Sequence, residues 1–204
     1  MNTFNWYLDE SRFLSATEVS RLRRKAKERA GSGRKSDVRD WLVIDLALCT
    51  GLRLSEIVNL KCGDIMIRDN YGSLLVRRGK GGKSRAVCFG RSLKKHLAGY
   101  FRWKKYVRED ISQEDHLLIS DRTGNALTGR AIQKTFFRCA SLSGIHGHRF
   151  HDLRHTYASH LYKASGYNLR LVQKQLGHSS IAITQVYADV LDSDLKKALN
   201  KLFE

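Results

Sequence analysis

Two segments of the sequence place an arginine three residues from a second polar side chain. In TGLRLSEI, Arg53 follows a glycine at the predicted start of a short helix, and Glu56 comes one turn later. In HDLRH, His151 and Arg154 have the same spacing, which puts them on one face of a helix. Arginine binds anionic oxygens through two parallel hydrogen bonds, and histidine titrates near neutral pH. Either pair could bind a phosphate, although an isolated Arg–Glu pair is more often a structural surface pair.

A third segment, LGHSSIAITQVY, contains a histidine and a tyrosine. His178 follows the glycine that is predicted to end a helix, and Tyr187 lies nine residues further on. A tyrosine hydroxyl can act as a nucleophile, but a single tyrosine is far more often a core or interface aromatic. This segment therefore becomes informative only together with the others.

The glycine-rich segment GKGGKS lies between two predicted strands and carries Lys80 and Lys83. A nucleotide-binding P-loop would need a glycine five residues before its Gly-Lys pair, where this chain has Arg77, and a helix after it. Both conditions fail. The segment instead predicts a flexible hairpin that carries lysines into a DNA groove.

A zinc site is an alternative interpretation of the HDLRH segment. His151 and His155 lie four residues apart, as the two ligands of H-E-x-x-H do. The acidic residue between them is Asp152, one carbon shorter than the usual glutamate, and Arg154 would place a cation beside the metal. We therefore favour phosphate binding by His151 and Arg154, and predict that His155 is a core histidine.

The composition indicates a single basic domain that binds nucleic acid. The 204 residues include 37 Lys and Arg against 20 Asp and Glu, a formal net charge of +17. Such a charge attracts polyanions, of which nucleic acid is the commonest, although a merely basic soluble surface is the alternative. The four cysteines are scattered and predict buried thiols rather than disulfides or a zinc ribbon. Without an apolar leader or a spanning segment, we expect a cytoplasmic, nucleoid-associated protein with no membrane partner.

The hydrophobic pattern predicts an α+β, mainly helical fold with a small antiparallel three-stranded sheet. A capping box at Ser15 to Glu18 predicts a basic helix that reaches about Ala30. Strands are predicted around 65–67, 73–76 and 85–89, where polar and apolar residues alternate or the run looks extended. Further helices are predicted at 37–50, 55–60, 93–108, 129–141, 151–163, 168–176, 181–187 and 192–202.

Taken together and in this order, the segments TGLRLSEI, GKGGKSR, HDLRHTYASHL and LGHSSIAITQVY resemble the active-site set of the tyrosine recombinases, the phage integrase family. The similarity covers roughly residues 13–187. It implies the catalytic fold of that family, and a site-specific recombinase that cleaves and rejoins DNA strands through a 3′-phosphotyrosyl intermediate. It implies no cofactor, neither metal nor ATP.

The resemblance also implies a role for each matching residue. As catalytic residues, Arg53 and Arg154 bind the scissile phosphate, and Lys80 in the hairpin protonates the leaving 5′-hydroxyl. His151 assists proton transfer, and His178 hydrogen-bonds the phosphate. Tyr187 attacks phosphorus. Glu56 supports the arginines from behind, and Lys83 and Arg85 are expected to bind DNA, with Lys83 as the second candidate for the proton donor.

The resemblance leaves the organisation and the outcome open. Residues 1–13 are expected to form an N-terminal extension and residues 14–204 the catalytic domain, in either a naturally short family member, which the initial Met1 favours, or an excised domain. The helix at 192–202 could dock on a neighbouring subunit or fold back. Double-stranded DNA, a homotetramer on paired sites and accessory DNA-bending proteins are the expected partners. The outcome could be integration, excision, inversion or resolution, and the alternatives are a DNA-binding regulator without catalysis and a topoisomerase of related chemistry.

Overall fold

The structure is a computed structural model that describes residues 12–68, 71–77, 84–178 and 184–185. Its helices and strands follow one another as α1 (Ala16–Ala30), α2 (Lys35–Thr50), α3 (Leu54–Val58), β1 (Ile65–Ile67), β2 (Gly72–Val76), β3 (Arg85–Phe89), α4 (Arg91–Tyr106), α5 (Gly129–Leu142), α6 (Asp152–Ala164) and α7 (Leu169–Leu176). The predicted α+β, mainly helical class is confirmed. Predicted ends lie within two residues of those observed. The predicted helices at 181–187 and 192–202 lie outside the described residues, except that residues 184–185 are helical.

The first helix begins where the sequence predicts. The hydroxyl of Ser15 accepts a hydrogen bond from the backbone N–H of Glu18, and the Glu18 carboxylate accepts one from the backbone N–H of Ser15. This capping box satisfies two N–H groups that have no partner within the helix. It fixes the point at which the chain enters the domain.

Helix α2 lies at the centre of the fold, and α1, α4, α5 and α6 pack around it. Its buried residues include six apolar side chains between Leu42 and Leu48, but also the aspartates Asp37, Asp40 and Asp45. Asp45 is held by the Nε of Arg23 at 2.7 Å and by the Nδ1 of His96 at 2.8 Å. Asp37 accepts from Arg29 at 2.5 Å. Because a buried charge must be paired, these contacts fix the positions of α1 and α4 against α2.

The sheet has the order β1-β2-β3, with both pairs antiparallel. Val76 and Arg85 are opposite each other at the end of the β2–β3 ladder, so the intervening hairpin leaves the sheet at this end. Strand β3 also contacts α7. The sheet therefore brings the base of the hairpin to the end of the domain where α7 terminates. No helix within the described ranges combines the length and apolar character needed to cross a membrane.

Candidate active site

The site is built around Arg154, which lies in the first turn of α6 and is 3% exposed. Its Nη1 donates to the carbonyl of Gly51 at 2.5 Å, and its Nη2 donates to the carbonyl of Leu176 at 2.9 Å. Nη2 also lies 3.0 Å from Nε2 of His178. One guanidinium therefore joins the end of α2, the end of α7 and a histidine that is far from it in sequence.

Gly51 is required at the end of α2 for two reasons. Its φ of 61° lies in the left-handed region, and a Cβ built on it would lie 2.3 Å from the ring of Tyr157. Glycine avoids both the strain and the clash. The turn that it makes directs its carbonyl to Arg154 and leads the chain directly to Arg53.

Arg53 is the N-cap of α3, and Glu56 lies in the first turn of that helix. The carboxylate of Glu56 accepts the backbone N–H of Arg53 at 2.8 Å and its Nη1 at 3.0 Å. The Arg53 side chain remains 28% exposed, whereas that of Glu56 is 4% exposed. The geometry leaves the arginine accessible to a ligand while its carboxylate partner is enclosed.

The Glu56 carboxylate also accepts hydrogen bonds from Arg85, from Nη1 to Oε1 at 2.7 Å and from Nη2 to Oε2 at 3.0 Å. The Nε of Arg85 donates to the carbonyl of Gln175 in α7 at 3.3 Å. Burial alone would raise the pKa of Glu56, but the hydrogen bonds from Arg85 and from the Arg53 backbone, with the two charges, outweigh it and lower that pKa. Arg85, which the sequence suggested as a DNA contact, thus has its guanidinium directed to Glu56 and α7.

His178 follows the left-handed Gly177 that ends α7. Burial, and then the positive charges of Arg154, Arg53 and Arg85, lower the pKa of His178 to about 4. A neutral imidazole has one donor and one acceptor nitrogen. Since Arg154 donates to Nε2, we assign the proton to Nδ1, which lies 3.0 Å from the hydroxyl of Thr184.

His151 is the N-cap of α6, one turn before Arg154, and it is exposed to solvent. Desolvation by neighbouring atoms, and then the charge of Arg154, lower the pKa of His151. Its ring packs edge-to-face on that of His155, with 4.7 Å between centroids. A base that is neutral near pH 7 can take a proton from a nucleophile.

The zinc interpretation finds no support in the donor geometry. His155 is half-buried between His151 and Phe13 rather than fully buried, and burial lowers its pKa to about 4. Within the described part of the chain, no group of three His, Cys, Asp or Glu side chains is arranged to hold a metal ion.

Three of the expected site residues, Lys80, Lys83 and Tyr187, lie outside the described residues. The described chain stops on either side of the hairpin at Arg77 and Ser84, where the Ser84 hydroxyl donates to the carbonyl of Arg77 at 2.6 Å. The structure thus brings together Arg53, Glu56, Arg154 and His178, with His151 one turn from Arg154.

Sequence reasoning missed the groups that hold these side chains in place. They are the carbonyls of Gly51 and Leu176, the side chain and carbonyl of Gln175, and the hydroxyl of Thr184. The two carbonyls stand at glycine-marked helix ends, so a search for helix C-termini beside the arginines could have found them. No signal in the sequence distinguishes Gln175 or Thr184.

Comparison with known proteins places this chain in a family. The sequence profile of the phage integrase family matches residues 12–194. The tyrosine recombinase XerC of Corynebacterium glutamicum is 34% identical over 173 residues, covering 84% of this chain and 53% of that protein. The XerH site-specific recombinase bound to a palindromic difH substrate is similar with a TM-score of 0.77 and 26% identity, over 94% of this chain and 53% of that one.

A lambda integrase dimer bound to a COC′ core site is also similar, with a TM-score of 0.63 and 25% identity over 87% of this chain and 48% of that one. The chain therefore spans about half the length of these relatives. The match of the family profile to most of the sequence shows that this protein belongs to the phage integrase family, that of the tyrosine recombinases.

Proposed function

We propose that this chain is the catalytic part of a site-specific recombinase, which cleaves and rejoins DNA through a 3′-phosphotyrosyl intermediate on Tyr187. The observation that carries the proposal is the convergence of Arg53, Arg154 and His178. They come from three separate segments and meet around the ends of α2, α3 and α7. The family membership and the net charge of +17 add support for DNA as the substrate.

Arg53 and Arg154 would bind the non-bridging oxygens of the scissile phosphate. Two guanidiniums stabilise the charge that develops on those oxygens in a pentavalent transition state. The two carbonyl acceptors of Arg154 hold its guanidinium in one orientation, so little reorganisation is needed when phosphate arrives. His178 would then donate a hydrogen bond to the phosphate from Nε2, which requires it to release Arg154 and to shift its proton from Nδ1 to Nε2, with Nδ1 then accepting from the hydroxyl of Thr184.

Tyr187 would form the covalent bond. Its Oη attacks phosphorus while His151 accepts the phenolic proton, the bond to the 5′ oxygen breaks, and Lys80 protonates the departing hydroxyl, with Lys83 as the second candidate. The 5′-hydroxyl of a partner strand then attacks the phosphotyrosine and releases the enzyme. The phosphodiester energy is retained in the intermediate, so the reaction as proposed draws on neither ATP nor a metal ion.

Assembly follows from the same chemistry, because exchanging strands between duplexes requires more than one active site. We propose a homotetramer on paired sites, with residues 192–202 docking on a neighbouring subunit and accessory DNA-bending proteins setting the outcome. The solved lambda integrase dimer on a core site supports assembly on DNA. The place of action would be the cytoplasm, at the nucleoid.

The direct test is a covalent protein–DNA adduct. Duplexes from the DNA that flanks the gene, each carrying a random single-strand nick, trap the adduct when a nick lies beside the scissile phosphate. We expect a protease-sensitive band that survives SDS and EDTA and is lost in Tyr187→Phe. The matched control is Tyr106→Phe, because Tyr106 is 86% exposed on α4, and it should keep the band.

The other outcomes separate the alternatives. Tight binding of these duplexes without an adduct would favour a DNA-binding regulator that lacks catalysis. An adduct on any duplex, together with relaxation of supercoils without site preference, would favour a topoisomerase. An adduct that persists in Tyr187→Phe would contradict the assignment of the nucleophile.

A further inference from the structure

Arg85 stands at the first position of β3 and contacts two other elements at once. Its terminal nitrogens bind both carboxylate oxygens of Glu56 in α3, and its Nε binds the carbonyl of Gln175 in α7. The side chain is 14% exposed. A planar fork that engages a carboxylate with two nitrogens has one preferred geometry, so Arg85 fixes the distance between α3 and the end of α7.

Through Glu56, Arg85 acts on Arg53. The same two carboxylate oxygens accept the backbone N–H and Nη1 of Arg53. With Arg85 present, the negative charge of Glu56 is already balanced, and the charge of Arg53 is available to a phosphate. Without Arg85, the enclosed carboxylate would be left with Arg53 as its cation, and would compete with the phosphate for it.

On its other side Arg85 acts on the residue before His178. A Cβ built on Gly177 would lie 2.6 Å from Cδ of Arg85, so the glycine turn lies directly against this side chain. The side chain of Gln175 accepts the backbone N–H of Cys88 in β3 at 3.1 Å. The end of α7 is thus held on β3 at the point where the chain turns to present His178.

We propose that Arg85 is a positioning residue, which holds Arg53 and His178 in register for one phosphate and does not itself contact DNA. This inference rests on the proposed function, since it names the residue that organises the same site. It replaces the DNA contact that the sequence suggested for Arg85.

The test separates binding from catalysis. Arg85→Gln and Arg85→Lys are compared with the wild-type chain on the nicked duplexes, at saturating protein, for the rate of adduct formation. DNA affinity is measured separately over a range of salt concentrations. We expect the rate to fall about 10²-fold in Arg85→Gln, the size of effect typical of misplaced catalytic groups, while the affinity and its salt slope stay unchanged.

Arg85→Lys sharpens the result, because lysine retains the charge but cannot bind Glu56 and Gln175 as a fork. We expect it to fold, to keep the salt slope, and still to lose about 10-fold in rate if positioning rather than charge is what matters. The matched control is Arg102→Gln, an exposed arginine on α4, which should leave both the rate and the fold unchanged.

Two results would overturn the proposal. If the slope of log affinity against log salt concentration decreased in magnitude by about one in Arg85→Gln, a phosphate contact would have been lost. An unchanged rate at saturation in both variants would show that Arg85 positions nothing.

A second measurement does not depend on cleavage. Hydrogen exchange of the free chain should become faster at residues 54–57 and 176–178 in Arg85→Lys, and stay unchanged in α1. If Arg85→Lys exchanged at the same rate as the wild-type chain at residues 54–57 and 176–178, the proposal would be overturned. This measurement holds even when the wild-type chain forms no adduct. The absence of an adduct would count against the proposed function instead.

Discussion

Arginines bind carboxylates both between α1 and α2 and in the candidate active site. The number of arginines per carboxylate differs between these two regions. Between α1 and α2 each arginine has its own carboxylate: Arg23 binds Asp45, and Arg29 binds Asp37. In the active site, Arg53 and Arg85 share Glu56. Between α1 and α2 the positive and negative charges are balanced, and the ion pairs hold the two helices together. The second carries an excess of positive charge, next to the buried Arg154, where a phosphate would complete it.

The largest effect is expected from Arg154→Gln. The rate of adduct formation should fall about 10³-fold or more, because a preorganised donor to the transition-state oxygens is lost. The matched change in the balanced region is Arg23→Gln, which should leave the rate per folded molecule unchanged. Rates are measured on the nicked duplexes, with the folded fraction determined by circular dichroism. Equal losses in the two variants would mean that both arginines are structural.

An intermediate effect is expected from the two carboxylates. Glu56→Gln should lower the rate about 10²-fold by misplacing Arg53. Asp45→Asn should lower the free energy of unfolding by about 2 kcal/mol, since charged hydrogen bonds from Arg23 and His96 are lost, with the rate retained. Urea unfolding and adduct kinetics measure the two quantities. A rate loss in Asp45→Asn as large as that in Glu56→Gln would remove the distinction between the regions.

The smallest effect is a dependence of stability on pH. Unfolded histidine gains its proton near pH 6.5, whereas His155 and His178 in the folded chain have pKa values of about 4. The unfolded state therefore binds more protons between these values, and the free energy of unfolding should decrease as pH falls from about 6.5 to 4. Urea unfolding at several pH values should show a shallower decrease in His155→Gln. An identical slope would contradict the depressed pKa of His155.

Much of the fold was predictable because its signals are local. The capping box at Ser15, the glycine that ends α2 and the alternation in β1 each depend on neighbouring residues. Lys104 shows the limit of such signals. Its sequence context, beside other basic residues of α4, is that of a surface lysine, yet it is fully buried and donates to Glu109 at 3.1 Å. The partner comes from the loop that follows the helix, and that loop's path is a tertiary property.

The active site likewise contains contacts that local sequence could predict and contacts that it could not. Arg53 and Glu56 lie one turn apart, so their pairing could be anticipated from spacing. The direction of the Arg85 side chain could not, because alternation in a strand shows which residues share a face but not what lies beside that face. The meeting of Arg154 with His178 depends on how α6 and α7 pack, which only the resemblance to a family suggested in advance.

The central claim is that Tyr187 becomes linked to DNA at this site, and peptide mass spectrometry of the trapped adduct tests it most directly. After nuclease and trypsin digestion, the peptide covering residues 175–196 contains His178 and a single tyrosine. The account predicts a nucleotide attached to Tyr187 through phosphate. A nucleotide on any other residue, or an adduct that leaves this peptide unmodified, would contradict it.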